Sequence, residues 1–217
     1  MAGSTSRSTR WLCFGALLAT GCASTPPNPE RRPTAADYPG ELLPPAALGV
    51  EVLWQQRVTA HWGQGDAAEQ RGFDAALQLR GGVLTVVGLS PLGQPGFVIQ
   101  HSATGTKVEN HSDMVMPFPP EFVLLDVQRT FYPWLAGSPP TDGERTGDVG
   151  AERVTETWRG GHLVRRTFER RDGQPAGRIA VECTWGAAAT RAPSHIVLDN
   201  GWCGYRLVID THREQLL

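Results

Sequence analysis

From residue 50 onward apolar and polar residues alternate, and a period of two restricts the chain to sheet structure. Val50, Val52, Trp54, Val58, Ala60 and Trp62 share one parity, while Glu51, Gln55, Arg57, Thr59 and His61 share the other. Successive side chains on a strand point to opposite faces, so such a run buries one face and wets the other. Phe73, Ala75, Leu77 and Leu79 repeat the pattern, and residues 97–101 give a further strand. Val83–Leu89 is apolar on both parities, which predicts a strand covered on both faces. Ile179, Val181, Cys183 and Trp185 form one apolar face late in the chain, and Cys203, Tyr205, Leu207 and Ile209 another. The pairs Gly81-Gly82, Gly160-Gly161, Asp172-Gly173 and Asn200-Gly201 sit between alternating runs, where tight hairpins need residues tolerant of positive φ.

One segment departs from this period. Pro119 and Pro120 suit a first helical turn and Glu121 complements the helix dipole. Leu124, Val127, Phe131, Trp134 and Leu135 fall near one stripe, and Pro133 should end or kink the helix. Residues 137–150, rich in Gly, Pro, Asp and Thr, read as a loop. About ten antiparallel strands with a single helix between the fifth and sixth predict a mainly β domain. Its expected form is a curved antiparallel sheet or incomplete β-barrel, with the helix covering the concave face.

The first 21 residues have a different logic. Arg7 and Arg10 precede a short apolar stretch, residues 11–19, and small residues follow. This is secretory-signal architecture, and the apolar run is too short for a stable membrane span. Leu18-Ala19-Thr20-Gly21-Cys22 resembles the lipobox of bacterial lipoproteins, with Ala19 where that motif favours leucine. The resemblance implies cleavage before Cys22 and acylation of its thiol and amine. It places the mature chain on the outer membrane, because Ala23 stands where aspartate signals inner-membrane retention. Residues 22–47 carry seven prolines (Pro26, Pro27, Pro29, Pro33, Pro39, Pro44 and Pro45) and no apolar period. We read them as a tether, with a single domain over 48–217.

Composition narrows function by exclusion. With Arg7 and Arg10 removed, the 22 acidic residues outnumber the remaining basic ones, which argues against nucleic acid as a partner. The serine-hydrolase elbow G-x-S-x-G is missing; Gly88-Leu89-Ser90-Pro91-Leu92 comes nearest, with leucine at the last glycine position. The six histidines show no metal-ligand spacing, and no glycine-rich phosphate loop precedes the helix. No catalysis, cofactor or metal is expected.

Four features leave two readings each. Arg165, Arg166, Arg170 and Arg171 form a solvated strand face, or they contact anionic headgroups or an acidic partner. Trp54, Phe73, Leu77, Val86, Phe97, Phe131, Trp134 and Trp185 fill a core, or they line a cavity for an acyl chain. Cys183 and Cys203 lie in an oxidising compartment, which favours a disulfide, but a simple meander holds them two strand spacings apart. In the loop Pro91-Leu92-Gly93 the leucine stands exposed at a stiffened tip, or folds back onto its strand.

Leu89-Ser90-Pro91-Leu92-Gly93-Gln94 between two strands resembles a loop of the LolB-type outer-membrane lipoprotein receptors. So does the ending, Pro193-Ser194-His195-Ile196-Val197-Leu198-Asp199, an Asn-Gly turn, then Tyr205-Arg206-Leu207-Val208-Ile209. A nearer resemblance is to an uncharacterised lipoprotein family, some of whose members lie beside aryl polyene pigment genes. It rests on Leu43-Pro44-Pro45, Gly88-Leu89-Ser90-Pro91-Leu92-Gly93 and Gly204-Tyr205-Arg206-Leu207. The LolB resemblance implies an incomplete barrel around a hydrophobic cavity. It also implies acyl or lipid cargo taken from a periplasmic LolA-like carrier, with Leu92 as the exposed leucine that assists delivery. The other reading is a structural or docking lipoprotein with a filled core. Cys22→Ser should leave the chain uncleaved or unlabelled when cells are fed a radioactive fatty acid; continued acylation would show that Cys22 is not the site.

Overall fold

The computed structural model describes residues 37–63, 68–111, 119–187 and 190–217. The signal segment, Cys22 and the tether as far as residue 36 lie outside the described residues. Among the described residues there are eleven strands and one α-helix. In chain order they are β1 (Val52–Trp62), β2 (Glu69–Arg80), β3 (Val83–Leu89), β4 (Pro95–Ser102), β5 (Gly105–Asn110), α1 (Pro120–Phe131), β6 (Gly143–Val149), β7 (Glu152–Arg159), β8 (His162–Arg170), β9 (Arg178–Thr184), β10 (His195–Asn200) and β11 (Tyr205–Leu216).

The strands make one sheet in the order β5-β4-β3-β2-β1-β11-β10-β9-β8-β7-β6. Every pairing is antiparallel. Two meanders, β1–β5 and β6–β11, join where the first strand pairs with the last, from Val52↔Leu216 to Trp62↔Tyr205. β5 and β6 are the free edges, so the curved sheet does not close. Register breaks at Gln55/Gln56, Gly88/Leu89 and Thr157/Trp158 help bend it, because an extra residue in one strand kinks and twists the pair. Gly81-Gly82 and Gly160-Gly161, all at positive φ, turn the β2–β3 and β7–β8 hairpins as their sequence requires.

α1 ends as expected. Tyr132 caps it in an extended conformation, φ −84 and ψ 152, because Pro133 disfavours helical geometry in the residue before it. Its burial is broader than a stripe. Phe122, Leu124, Leu125, Asp126, Gln128, Arg129 and Thr130 are all buried. The reason is a second cover: residues 37–49 run over the helix as a strap. Tyr38 is 1% exposed, and Pro45–Leu48 form a single 3-10 turn with Pro45 buried. The described part of the segment read as tether, residues 37–47, is therefore packed against the domain.

Two further expectations change, and of the two cysteine readings the unbonded one holds. The loop over 137–150 contains β6, an edge strand with no buried residue and hence no apolar alternation to reveal it. β3 is not covered on both faces: Leu84, Val86 and Gly88 are buried while Val83, Thr85, Val87 and Leu89 are half-buried. Cys183 and Cys203 are both free. Cys183 sits opposite Ile196, whereas Cys203 follows Asn200, which sits opposite Ile179. Four residues along β9 is about 13 Å, beyond the reach of a disulfide. Burial pushes both thiols up to about 12.

Close packing sets one glycine. Gly88 faces Phe97 across the β3–β4 pair, and a Cβ there would lie 2.2 Å from the Phe97 ring. Gly88→Ala should displace that ring and cost about 1–3 kcal/mol, read as a lower urea midpoint with an unchanged slope.

Candidate functional site

The concave face of the sheet carries two apolar clusters, and α1 straddles them. Trp54, Leu77, Val86 and Leu124 belong to the cluster on the β1–β4 side, with Phe97 and Phe131 packed against it. Phe122, Leu125, Val154 and Phe168 belong to the other, with Phe73, Trp134 and Trp185 packed against it. The residues nominated for a cavity thus gather around the helix. The Phe131 ring lies 4.7 Å from that of Trp54, whose indole N–H donates to Glu214 Oε2 at 2.9 Å. Trp134 sits edge-on to Phe168 at 5.2 Å and donates to the Gln128 carbonyl at 2.9 Å. Trp185 donates to the Leu163 carbonyl at 2.8 Å and its ring stacks on His162. A cleft of about 290 Å³ remains between strap and helix, lined by Tyr38, Gly40, Leu42, Phe122 and Leu125 with Pro119 and Glu121 at its rim.

Under that cleft lies a polar cluster that the sequence reading did not single out. Asp126, buried on α1, accepts hydrogen bonds from the phenols of Tyr38 and Tyr205, the latter at 2.5 Å. Tyr205 in turn accepts from the Asn200 amide at 2.9 Å. One turn on, Arg129 donates from Nη2 to the Pro39 carbonyl at 2.8 Å and to Glu152 Oε1 at 2.7 Å. Its remaining Nε and Nη1 have no hydrogen-bond partner among the described residues. Three rings face the guanidinium instead, with centroids 4.6 Å (Tyr38), 4.9 Å (Trp202) and 5.2 Å (Phe168) from Cζ, a cation–π cage. Gln128 completes the seat of the strap, accepting from Leu43 N at 2.7 Å and donating to Leu43 O at 2.8 Å.

A second buried ion group borders the first. Glu156 on β7 accepts from Arg166 on β8, at 2.9 and 2.8 Å through Oε1, and from Arg145 on β6 at 2.7 Å through Oε2. Arg166 Nη1 also donates to the Arg129 carbonyl at 2.8 Å, satisfying one of the free carbonyls of the last helical turn. The arginine cluster is therefore split: Arg166 and Arg170 share the face of Phe168, and Arg165 lies on the other. Arg165 and Arg171 pair on the surface with Glu182 and Asp148, the half-buried Arg170 pairs with Asp172 at the hairpin end, and Arg166 is 3% exposed and structural. The signal was present in part: Glu152 and Glu156 share the parity of Val154, and Arg166 that of Phe168.

The β3–β4 tip stands apart. Gly93 N bonds to Ser90 O at 2.9 Å and Ser90 N to Gln94 O at 2.8 Å, closing a tight loop with Gly93 at φ 75. Pro91 and Gly93 are exposed, and Leu92 is 88% exposed. Among the described residues no helix is long and apolar enough to cross a membrane, and no group of three His, Cys, Asp or Glu could hold a metal ion.

Burial raises the Asp126 carboxyl from its usual 3.8 to about 6, against the lowering pull of Tyr205, Tyr38 and Arg129. The folded chain then holds this proton to higher pH than the unfolded chain does. Its contribution to stability is full below the unfolded value and declines as pH rises through about 6. Urea unfolding from pH 4 to 8 should show the native chain losing up to about 3 kcal/mol relative to Asp126→Asn over that window. Parallel curves for the two proteins would refute the assignment.

No curated protein matches the chain. Among solved structures it is similar to a LolA superfamily protein from Nitrosomonas europaea, at 12% identity and a TM-score of 0.46 over 76% of this chain and 86% of that one. It is also similar to a DUF1329 family protein from Desulfovibrio piger, at 15% identity and a TM-score of 0.41 over 77% and 86%. The match that decides membership is one of sequence, over residues 53–213, which span the sheet from β1 into β11 with its helix. The chain belongs to the family described as "Protein of unknown function (DUF3261)".

Proposed function

We propose that the chain is a lipoprotein of the outer membrane, held at its periplasmic face through acylated Cys22. In this reading it accepts acylated or lipid cargo from a periplasmic LolA-like carrier without catalysing a reaction. The observation that carries the reading is Leu92. A leucine 88% exposed on a tip stiffened by Pro91 adds nothing to the core, yet it regains about 1.5–3 kcal/mol when an apolar phase covers it. The lipobox-like segment and the apolar cleft beside Tyr38 and Leu42 support the same reading, the cleft as the point where an acyl end enters.

One observation favours a second reading, a non-catalytic docking lipoprotein. The cavity candidates Trp54, Phe131 and Trp134 pack on the helix and on one another. Mass spectrometry of solvent extracts from the purified protein separates the two: bound lipid supports the receptor, and a stable protein partner without lipid supports docking. Leu92→Glu should leave the melting temperature nearly unchanged while weakening sedimentation with anionic liposomes. Undiminished liposome binding by that variant would remove Leu92 from the function.

A further inference from the structure

The strap is held in the way a peptide ligand is held. Residues 37–49 join none of the eleven strands. Side chains of α1 fix them instead. Asp126 accepts from the Tyr38 phenol, Arg129 donates to the Pro39 carbonyl at 2.8 Å, and Gln128 pairs with both the N–H and the C=O of Leu43, at 2.7 and 2.8 Å. That last pairing is the one a neighbouring antiparallel strand would make, supplied here by a primary amide. The Tyr38 ring fills the apolar part of the seat, edge-on to Phe122 at 5.0 Å and 4.6 Å from the Arg129 guanidinium.

The strap is also shaped beforehand for this seat. Pro39 and Pro44 each disfavour helical geometry in the residue before them, and those residues are Tyr38 and Leu43, whose groups Asp126 and Gln128 read. Pro44 itself lies at φ −56 and ψ 138, a polyproline-like conformation. Prolines so placed reduce the freedom lost on docking.

The seat also selects the chemistry of its occupant. Asp126, Gln128 and Arg129 are all buried. An acyl chain in place of the strap would leave each of them short of a hydrogen-bond partner, which is costly for a buried polar group. Another extended peptide would satisfy them. We propose that the α1 surface beneath the strap is a peptide-binding groove, occupied in cis by the strap and open in trans to an extended segment of a partner protein. That segment carries the groups that the seat reads: a phenol, a proline directly after it, and a free backbone N–H and C=O at the spacing of Tyr38 to Leu43. The groove involves neither lipid nor Leu92, so it goes beyond the cargo reading and stands or falls separately. A tethered occupant competes at a high effective concentration, so a free peptide enters readily only when the strap's own hold is weakened.

A dye-labelled synthetic peptide of residues 37–48, titrated with the full-length protein and followed by fluorescence anisotropy, tests the proposal. Tyr38→Ala should bind it about tenfold more tightly than the native chain does, and Tyr38→Phe, which keeps the ring and lacks only the phenol oxygen, about fivefold. Because the peptide returns the missing tyrosine, it should also raise the melting temperature of both variants. Adding Gln128→Leu to Tyr38→Phe should abolish the saturable signal. Absence of saturable binding to the folded Tyr38 variants overturns the proposal. So does equal binding of a peptide with the same residues in scrambled order, or undiminished binding by the Tyr38→Phe, Gln128→Leu double variant. A dimer that the peptide dissociates would make a second copy the occupant and overturn the assignment to a separate partner.

Discussion

Arg129 is the joint on which the layers depend. Its side chain holds the strap through the Pro39 carbonyl and the sheet through Glu152, and its own carbonyl is held by Arg166. A guanidinium buried in this way is stable only if its charge is answered on the spot, because an unpaired ion in apolar surroundings is costly. One carboxylate and three rings answer it here. The helix is consequently fixed at its C-terminal turn by ionic contacts and along its length by apolar ones. Such a pair of anchors specifies one orientation of the helix on a curved surface that apolar packing alone would leave freer to slide.

The filled concave face and the exposed tip point in different functional directions. A face packed by its own helix and strap is the arrangement of a rigid scaffold. A leucine left bare on a proline-stiffened hairpin is the arrangement of a contact element. The two are compatible if the contact element acts first and the small cleft beside Tyr38 takes only the end of an acyl chain.

The sheet was legible because its alternation is strict where it matters. Val52, Trp54, Leu77, Leu79, Val181 and Ile196 declare their parity, and paired glycines mark the turns. The proline after α1 declared its end. What was not legible has a common cause: burial achieved by polar residues or by segments without periodicity. Arg166 read as a surface charge because only its tertiary pairing with Glu156 makes its burial tolerable. Tyr38 sits among prolines and is held by side chains some ninety positions away, so no local pattern announces the strap. β6 pairs on one side only and buries nothing. The candidate site was legible at Leu92, where local stiffness and a single apolar residue suffice, and in the aromatics that gather around the helix; the Asp126 and Arg129 cluster exists only once strap, helix and sheet are assembled.

The strap also fixes how the domain bears load. A pull that arrives at Asp37 reaches the interior within one residue, at Tyr38 and its bond to Asp126. Tension is therefore delivered to the helix–sheet junction, where the Gln128 and Arg129 contacts must part in sequence before the sheet is strained. Resistance of that kind is governed by an unfolding rate rather than by equilibrium stability. Under such a load the strap contacts with α1 would yield ahead of the eleven-stranded sheet behind them.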